Sequence, residues 1–398
     1  MKRLTFITCL CLLCLNVTAR TEKTITVDGN ERSYVFYYPT GRATSELTQL
    51  VVALHGLGQT PDAFITPEAA QSLCDNYGMA LLLPVAMPEQ DNEIINAVNF
   101  FGADYPALKN GLNAVWGAGV SVSVNDLNLG AYASLLPLVL PNISAAGKLV
   151  LNKDIDDISF INAAISDCAV GYNLKDEIYL AGGSLGGAMT YKYAFSNESK
   201  ASKIAVISGF VGHEVDYPTS INYPIMVINS QTDELISYNG SVFNDPIEDI
   251  VDELVAKNPH GAPTTSTIGS GEGQINVYDY TEEPEVLFYS VTKAQHNMSD
   301  VQNINIYEEV WDFFNDATSA IGEFTAQTTG LKIWPNPARD FISTNICGHY
   351  TIYDMAGRPV MKGTTDRQPV NVANLAKGQY IVKMTAGQNL YRATLIKQ

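Results

Sequence analysis

The chain has 398 residues, room for one large domain and a small one, and its 42 acidic against 24 basic residues give a formal charge of −18. That balance argues against a nucleic-acid partner and against an anionic membrane surface. Beyond the first 19 residues only Cys74, Cys168 and Cys347 remain, too sparse for a disulfide framework, and they are expected as buried free thiols.

The first segment, MKRLTFITCLCLLCLNVTAR, reads as a secretory signal over residues 1–19. Lys2 and Arg3 form its basic start, Leu4 to Leu15 its apolar core, and Val17-Thr18-Ala19 a small-residue cleavage site. The apolar run is too short to span a membrane and no later run is longer, so a soluble, exported product is expected, with no transmembrane segment. Residues 23–39 alternate around Asp28-Gly29, the pattern of a hairpin. LTQLVVALHG is a continuous apolar run, a strand buried on both faces, and MALLLPVAM is a second one. Between them PEAAQSLCDNYG has helical spacing and a glycine stop at Gly78. After a long insertion, DIDDISFINAAISDCAVGYN predicts an amphipathic helix with acidic residues at its start. Then come the strand EIYLAGGS, a helix from Ala188, the strands KIAVISGFV and PIMVINSQTD, the helix PIEDIVDELVAKN and the strand VLFYSV. Buried strands alternating with helices predict an α/β domain over 20–315, a mostly parallel sheet with helices on both faces. Its functional residues should follow the strands' carboxyl ends. Residues 316–330 read as a small, polar linker. Beyond them, short strand-like segments at near-regular spacing predict a small all-β sandwich over 331–398.

Gly182-Gly183-Ser184-Leu185-Gly186 fits the G-x-S-x-G pattern between a buried strand and a helix, the setting of a nucleophile elbow. A serine hydroxyl needs a base, usually an imidazole oriented by a carboxylate. In elbow hydrolases the chain order is serine, acid, histidine. His213, His260 and His296 follow Ser184 in the large domain. His296 is the candidate base because it comes just after the last buried strand. His213 has no strand-end carboxylate between it and Ser184, and His260 sits beyond a helix. Asp233 closes PIMVINSQTD and is the candidate acid, with Glu234 beside it expected to point elsewhere. The backbone amides of Leu57, in LHGLGQT, and of Leu185 are the candidate oxyanion donors. His55 is expected to be structural, since it precedes the elbow.

On these residues the large domain resembles secreted α/β-hydrolases of the polyhydroxybutyrate depolymerase, feruloyl esterase and acetylxylan esterase group. LHGLGQT is similar to that group's oxyanion turn, IYLAGGSLGGAM to its strand and elbow, PIMVINSQTDELISYNG to its acid segment, and EVLFYSVTKAQH to the strand leading to its histidine. The resemblance implies the catalytic triad Ser184, Asp233 and His296, no cofactor and no metal. NAVWGAG is similar to a stretch that helps form the acyl pocket, which implies substrate contact by Trp116. Three departures bear on substrate. Asn229-Ser230 stands where the group has His-Gly, Asn297-Met298 replaces a tryptophan after the histidine, and cysteines after Trp116 are missing. Residues 118–152 are an insertion that reads equally as a lid or as extra core packing. The tail resembles type A C-terminal sorting domains of the type IX secretion pathway, carried by LKIWPNPARD, YTIYDMAGRPV, NLAKGQYIVKM and the basic end IKQ. It implies the type IX secretion machinery as a partner and release or anchoring at the cell surface. The expected activity is carboxylic-ester hydrolysis, removing feruloyl or acetyl groups from plant polysaccharides. The alternatives are a polyhydroxyalkanoate depolymerase or serine peptidase on the same fold, and a non-catalytic surface-binding protein.

Overall fold

The computed structural model describes residues 20–101, 106–126, 147–258, 260–269, 271–282, 284–298, 301, 305–315, 331–354, 359–366, 368–386 and 389–398. Residues 1–19, read as a signal segment, residues 127–146, within the stretch read as an insertion, and residues 316–330, read as a linker, lie outside the described residues.

Strands β1 (Arg20–Val27) and β2 (Asn30–Tyr37) form an antiparallel hairpin with Asp28 and Gly29 both at positive φ, 50° and 81°. Two successive left-handed residues match the twist of the flanking strands, which is why Asp-Gly turns there. Strand β3 (Thr48–Leu54) is buried throughout. Helices α1 (Pro61–Phe64) and α2 (Pro67–Tyr77) each open on proline behind a threonine cap, and α2 stops at Gly78 with φ of 66°. Strand β4 (Ala80–Pro84), helices α3 (Asn92–Phe101) and α4 (Pro106–Gly111), and a small antiparallel pair, β5 (Ser121–Ser123) with β6 (Lys148–Val150), follow. The chain continues through α5 (Asp157–Cys168), β7 (Leu174–Gly183), α6 (Leu185–Ala194), β8 (Ala201–Ile207) and β9 (Ile225–Ser230). Helix α7 (Ile247–Ala256), strands β10 (Thr264–Ile268), β11 (Ile275–Tyr280) and β12 (Val286–Val291), and helix α8 (Ile306–Asn315) complete this part.

Ten strands join one sheet in the order β1-β2-β4-β3-β7-β8-β9-β12-β11-β10. The run from β4 to β12 is parallel, and an antiparallel hairpin closes each edge. Residues alternate between two cores because successive strand side chains point to opposite faces. Leu50, Val52 and Leu54 pack with α3, α5, α6 and α7, while Val51 and Ala53 pack with α2 and α8. This is the mostly parallel sheet with helices on both faces that the strand and helix pattern predicts, in the α/β-hydrolase arrangement that the resemblance implies. The β10–β11 hairpin occupies a stretch that reads as a loop, because TTSTI is polar and exposed and carries no apolar alternation.

A separate all-β unit follows, with β13 (Ile333–Trp334), β14 (Phe341–Thr344), β15 (Gly348–Asp354), β16 (Pro359–Thr365), β17 (Val370–Asn371), β18 (Gly378–Ala386) and β19 (Asn389–Lys397). They form sheets of order β13-β14-β17 and β16-β15-β18-β19 around a core including Leu331, Ile342, Ile352, Val382 and Leu395. Cys74 and Cys168 are buried as expected, but Cys347 is exposed, in the short link between β14 and β15. Among the described residues no helix is long and apolar enough to cross a membrane.

Candidate active site

Ser184 stands between β7 and α6 with φ of 55° and ψ of −123°, a backbone shape that costs a non-glycine residue about 1–3 kcal/mol. Its neighbours explain why the turn persists. A Cβ on Gly182 would lie 2.2 Å from the Gly186 carbonyl oxygen, and one on Gly186 would lie 2.1 Å from the Leu54 oxygen. Only glycines let the first turn of α6 press this closely on the ends of β7 and β3. The Ser184 amide donates to the Ile207 oxygen at 2.9 Å, which ties the bend to β8. The serine therefore sits beyond the carboxyl ends of the central strands, at the amino end of α6, where the helix dipole favours negative charge.

Asp233 and His296 follow β9 and β12, which are neighbouring parallel strands. His296 Nδ1 donates to the Asp233 carboxylate, at 2.8 Å from Oδ2 and 3.0 Å from Oδ1. The carboxylate is fully buried and the imidazole is 14% exposed. Asp233 Oδ1 also accepts the amides of Leu235 and Ile236 at 2.8 and 2.9 Å, so the acid is oriented from two sides. With Nδ1 protonated, Nε2 is left as the free acceptor of the ring. The histidine's loop is held by side chains to which the sequence assigned no such role. Ser208 Oγ donates to the His296 oxygen at 2.7 Å, and Ser230 Oγ donates to the Ala294 oxygen at 2.8 Å while accepting its amide at 2.9 Å. Glu234, expected to point elsewhere, turns back and accepts the His296 amide at 3.1 Å. Ser230 thus replaces the glycine of the resembled motif with a clasp on the histidine's loop.

The turn after β3 lies against the serine: a Cβ on Gly56 would be 3.2 Å from Ser184 Cβ. His55 is buried, as a structural residue should be, and Nε2 accepts the Ala86 amide at 3.1 Å. That fixes the proton on Nδ1, which donates to the Gly56 oxygen at 2.8 Å. Burial pushes its pKa down to about 4. Because the peptide unit is planar and trans, holding the Gly56 carbonyl one way directs the Leu57 N–H the other way. Further on, the Gly58 amide donates to the Ala114 oxygen at 2.8 Å.

Trp116, for which the resemblance implies substrate contact, is packed against the turn after β3. It has no exposed surface, its ring lies 5.1 Å from that of His55, and its Nε1 donates to the His55 oxygen at 2.8 Å. Its indole supports the turn from beneath. The adjoining Gly117 is fixed in its turn, since its amide donates to Asp157 Oδ2 at 2.7 Å, and Asp157 Oδ1 receives Arg32 at 2.6 Å in a pair only 3% and 0% exposed. The other two histidines are engaged elsewhere. His213 Nδ1 contacts the Ser121 oxygen at 3.2 Å, and His260 contacts the carbonyls of Val255 and Pro284. Among the described residues no group of His, Cys, Asp and Glu could hold a metal ion.

Comparison with protein-family models matches residues 332–398. This tail matches the secretion system C-terminal sorting domain. The matched stretch coincides with the all-β unit. No curated protein matches the chain. Similar solved structures include an acetyl xylan esterase from Aspergillus awamori, 12% identical, with a TM-score of 0.45 over 74% of this chain and 99% of that one. A cold-adapted esterase from an Arctic intertidal metagenomic library is 12% identical, with a TM-score of 0.40 over 75% of this chain and 94% of that one. Est1E from Butyrivibrio proteoclasticus is 12% identical, with a TM-score of 0.38 over 74% of this chain and 97% of that one.

Proposed function

We propose that the large domain is a secreted serine carboxylic-ester hydrolase that removes feruloyl or acetyl groups from plant polysaccharides. The observation that carries the reading is the strained Ser184 turn at the end of β7 together with the His296 imidazole held by the buried Asp233 carboxylate, at the ends of β9 and β12 in the same parallel run. Ser184 Oγ attacks the ester carbonyl as His296 Nε2 takes its proton, and Asp233 stabilises the imidazolium. Amides of Leu57 and Leu185 receive the developing oxyanion, at the amino end of α6. His296 then gives the proton to the leaving alkoxide, and a water, deprotonated by the same nitrogen, releases the acid from the acyl-serine. No step calls for a metal or organic cofactor. The choice of ferulate and acetate rests on the resemblance of the motifs, and the lid reading of 118–152 concerns a segment whose middle lies outside the described residues. The sorting domain supports export with the type IX machinery as partner.

The test is hydrolysis of methyl ferulate, acetylated xylan, p-nitrophenyl esters, polyhydroxybutyrate and a peptide amide by the wild type and Ser184→Ala. Release from ferulate or acetylxylan that falls more than about 10³-fold in the variant is expected. Activity confined to the polyester or the amide would transfer the site to those substrates. Activity unchanged in the variant would end the serine mechanism.

A further inference from the structure

We propose that Gln59 is a positioning residue, whose carboxamide holds the oxyanion peptide in its donating orientation. The inference rests on the esterase reading and deepens it. Gln59 Oε1 accepts the Gly56 amide at 2.8 Å, and the Gln59 backbone amide donates to the Gly56 oxygen at 3.2 Å. One residue therefore engages both polar groups of Gly56, and His55 Nδ1 adds a second donor to the carbonyl. Gly56 is the point where the turn has most freedom, since glycine alone explores φ and ψ so widely. Its ψ sets the plane of the next peptide, and with it the direction of the Leu57 N–H.

A side chain would nevertheless be tight here. A Cβ on Gly56 would lie 3.0 Å from Gln59 Oε1 and 3.2 Å from Ser184 Cβ, so the carboxamide and the serine share the gap that the missing side chain leaves. The freedom that this opening creates is removed by Gln59. Gln59 is itself anchored, because the next residue, Thr60, caps α1 by accepting the Ala63 amide at 3.2 Å. The strap thus runs from a fixed helix start to the one loose link before the oxyanion donor. Its effect should appear where negative charge develops on the substrate oxygen and not in ground-state binding.

The experiment compares wild type, Gln59→Met, which keeps the length without an acceptor, and Gln59→Asn, whose acceptor is one methylene short. The kcat and KM are measured on p-nitrophenyl acetate, and inhibition on a trifluoromethyl ketone, which forms an anionic tetrahedral adduct with the serine. A kcat loss of about 10- to 100-fold is expected at a KM within about threefold, with inhibitor affinity falling in parallel with kcat/KM. A kcat near wild type in either folded variant overturns the proposal. So does a lowered kcat with unchanged inhibitor affinity, which is what a merely structural residue would give. Should Gln59→Met not fold, Gln59→Asn decides alone. A wild type that neither turns over ester nor reacts with a fluorophosphonate at Ser184 overturns the esterase reading itself, which separates that failure from the failure of the strap.

Discussion

Ser184 carries a backbone cost that only its position justifies. Replacement by glycine relieves the φ of 55°, whereas alanine keeps it. Ser184→Gly should therefore be more stable than Ser184→Ala by about 1 kcal/mol, read from urea unfolding. Equal stabilities would mean that the turn is not strained. His55 makes a second prediction at this scale. It is neutral when folded, with burial lowering its pKa to about 4 from 6.5. As pH falls the unfolded chain takes up the proton first, so folding is undiminished above about pH 6.5 and loses stability down to about pH 4, by roughly 3 kcal/mol in all. His55→Gln should remove that part of the acid slope. Thermal unfolding of both proteins between pH 7 and pH 4.5 checks it, and parallel slopes would refute it.

Among elements, the buried contact between β2 and α5 is the most exposed to a single change. Arg32 reaches Asp157 at 2.6 Å and its guanidinium lies 3.8 Å over the Phe160 ring. Asp157→Asn leaves an unpaired cation in the core and should cost about 3–5 kcal/mol, measured by chemical denaturation. Sequence alone placed acidic residues at the start of α5 without separating their roles. Asp156 does cap the helix, but Asp157 turns inward to a partner 125 residues away, which local pattern cannot reveal. The same division holds across the site. Strands β3 and β9 and the second half of β7 were legible because they are largely buried on both faces, and the serine was legible because its glycines admit no Cβ. Ser208, Ser230 and Glu234 were not, since their clasp on the histidine's loop depends on how separate strand ends meet. Trp116 was marked only by the resemblance of NAVWGAG, and only packing shows that its indole nitrogen donates to a backbone carbonyl.

For the molecule as a whole, the two units keep separate cores. The sheet's clusters draw on residues up to Phe314, and the sorting domain's cluster begins at Leu331. Lys203 donates to the Phe313 and Phe314 oxygens at 3.1 and 3.4 Å and so fixes the end of α8 from within the large domain. Residues 20–315 alone should therefore fold with an unfolding midpoint within a few degrees of the full chain's, and with its kcat/KM on p-nitrophenyl acetate, by calorimetry and steady-state assay. A shorter version ending before α8 should fail to fold, because Trp311, Phe313 and Phe314 fill the core beneath α2.

The ten-stranded sheet is open at both ends, one edge presenting hydroxyls and the other a mixture of hydroxyls and charges. The β10 edge reads Thr-Thr-Ser-Thr-Ile and is largely exposed, and the β1 edge begins Arg-Thr-Glu-Lys-Thr. A neighbouring chain that approached either edge would find backbone groups to pair with but no greasy ladder to reward the pairing. Crowded copies of this protein accordingly have little incentive to zip together into fibres.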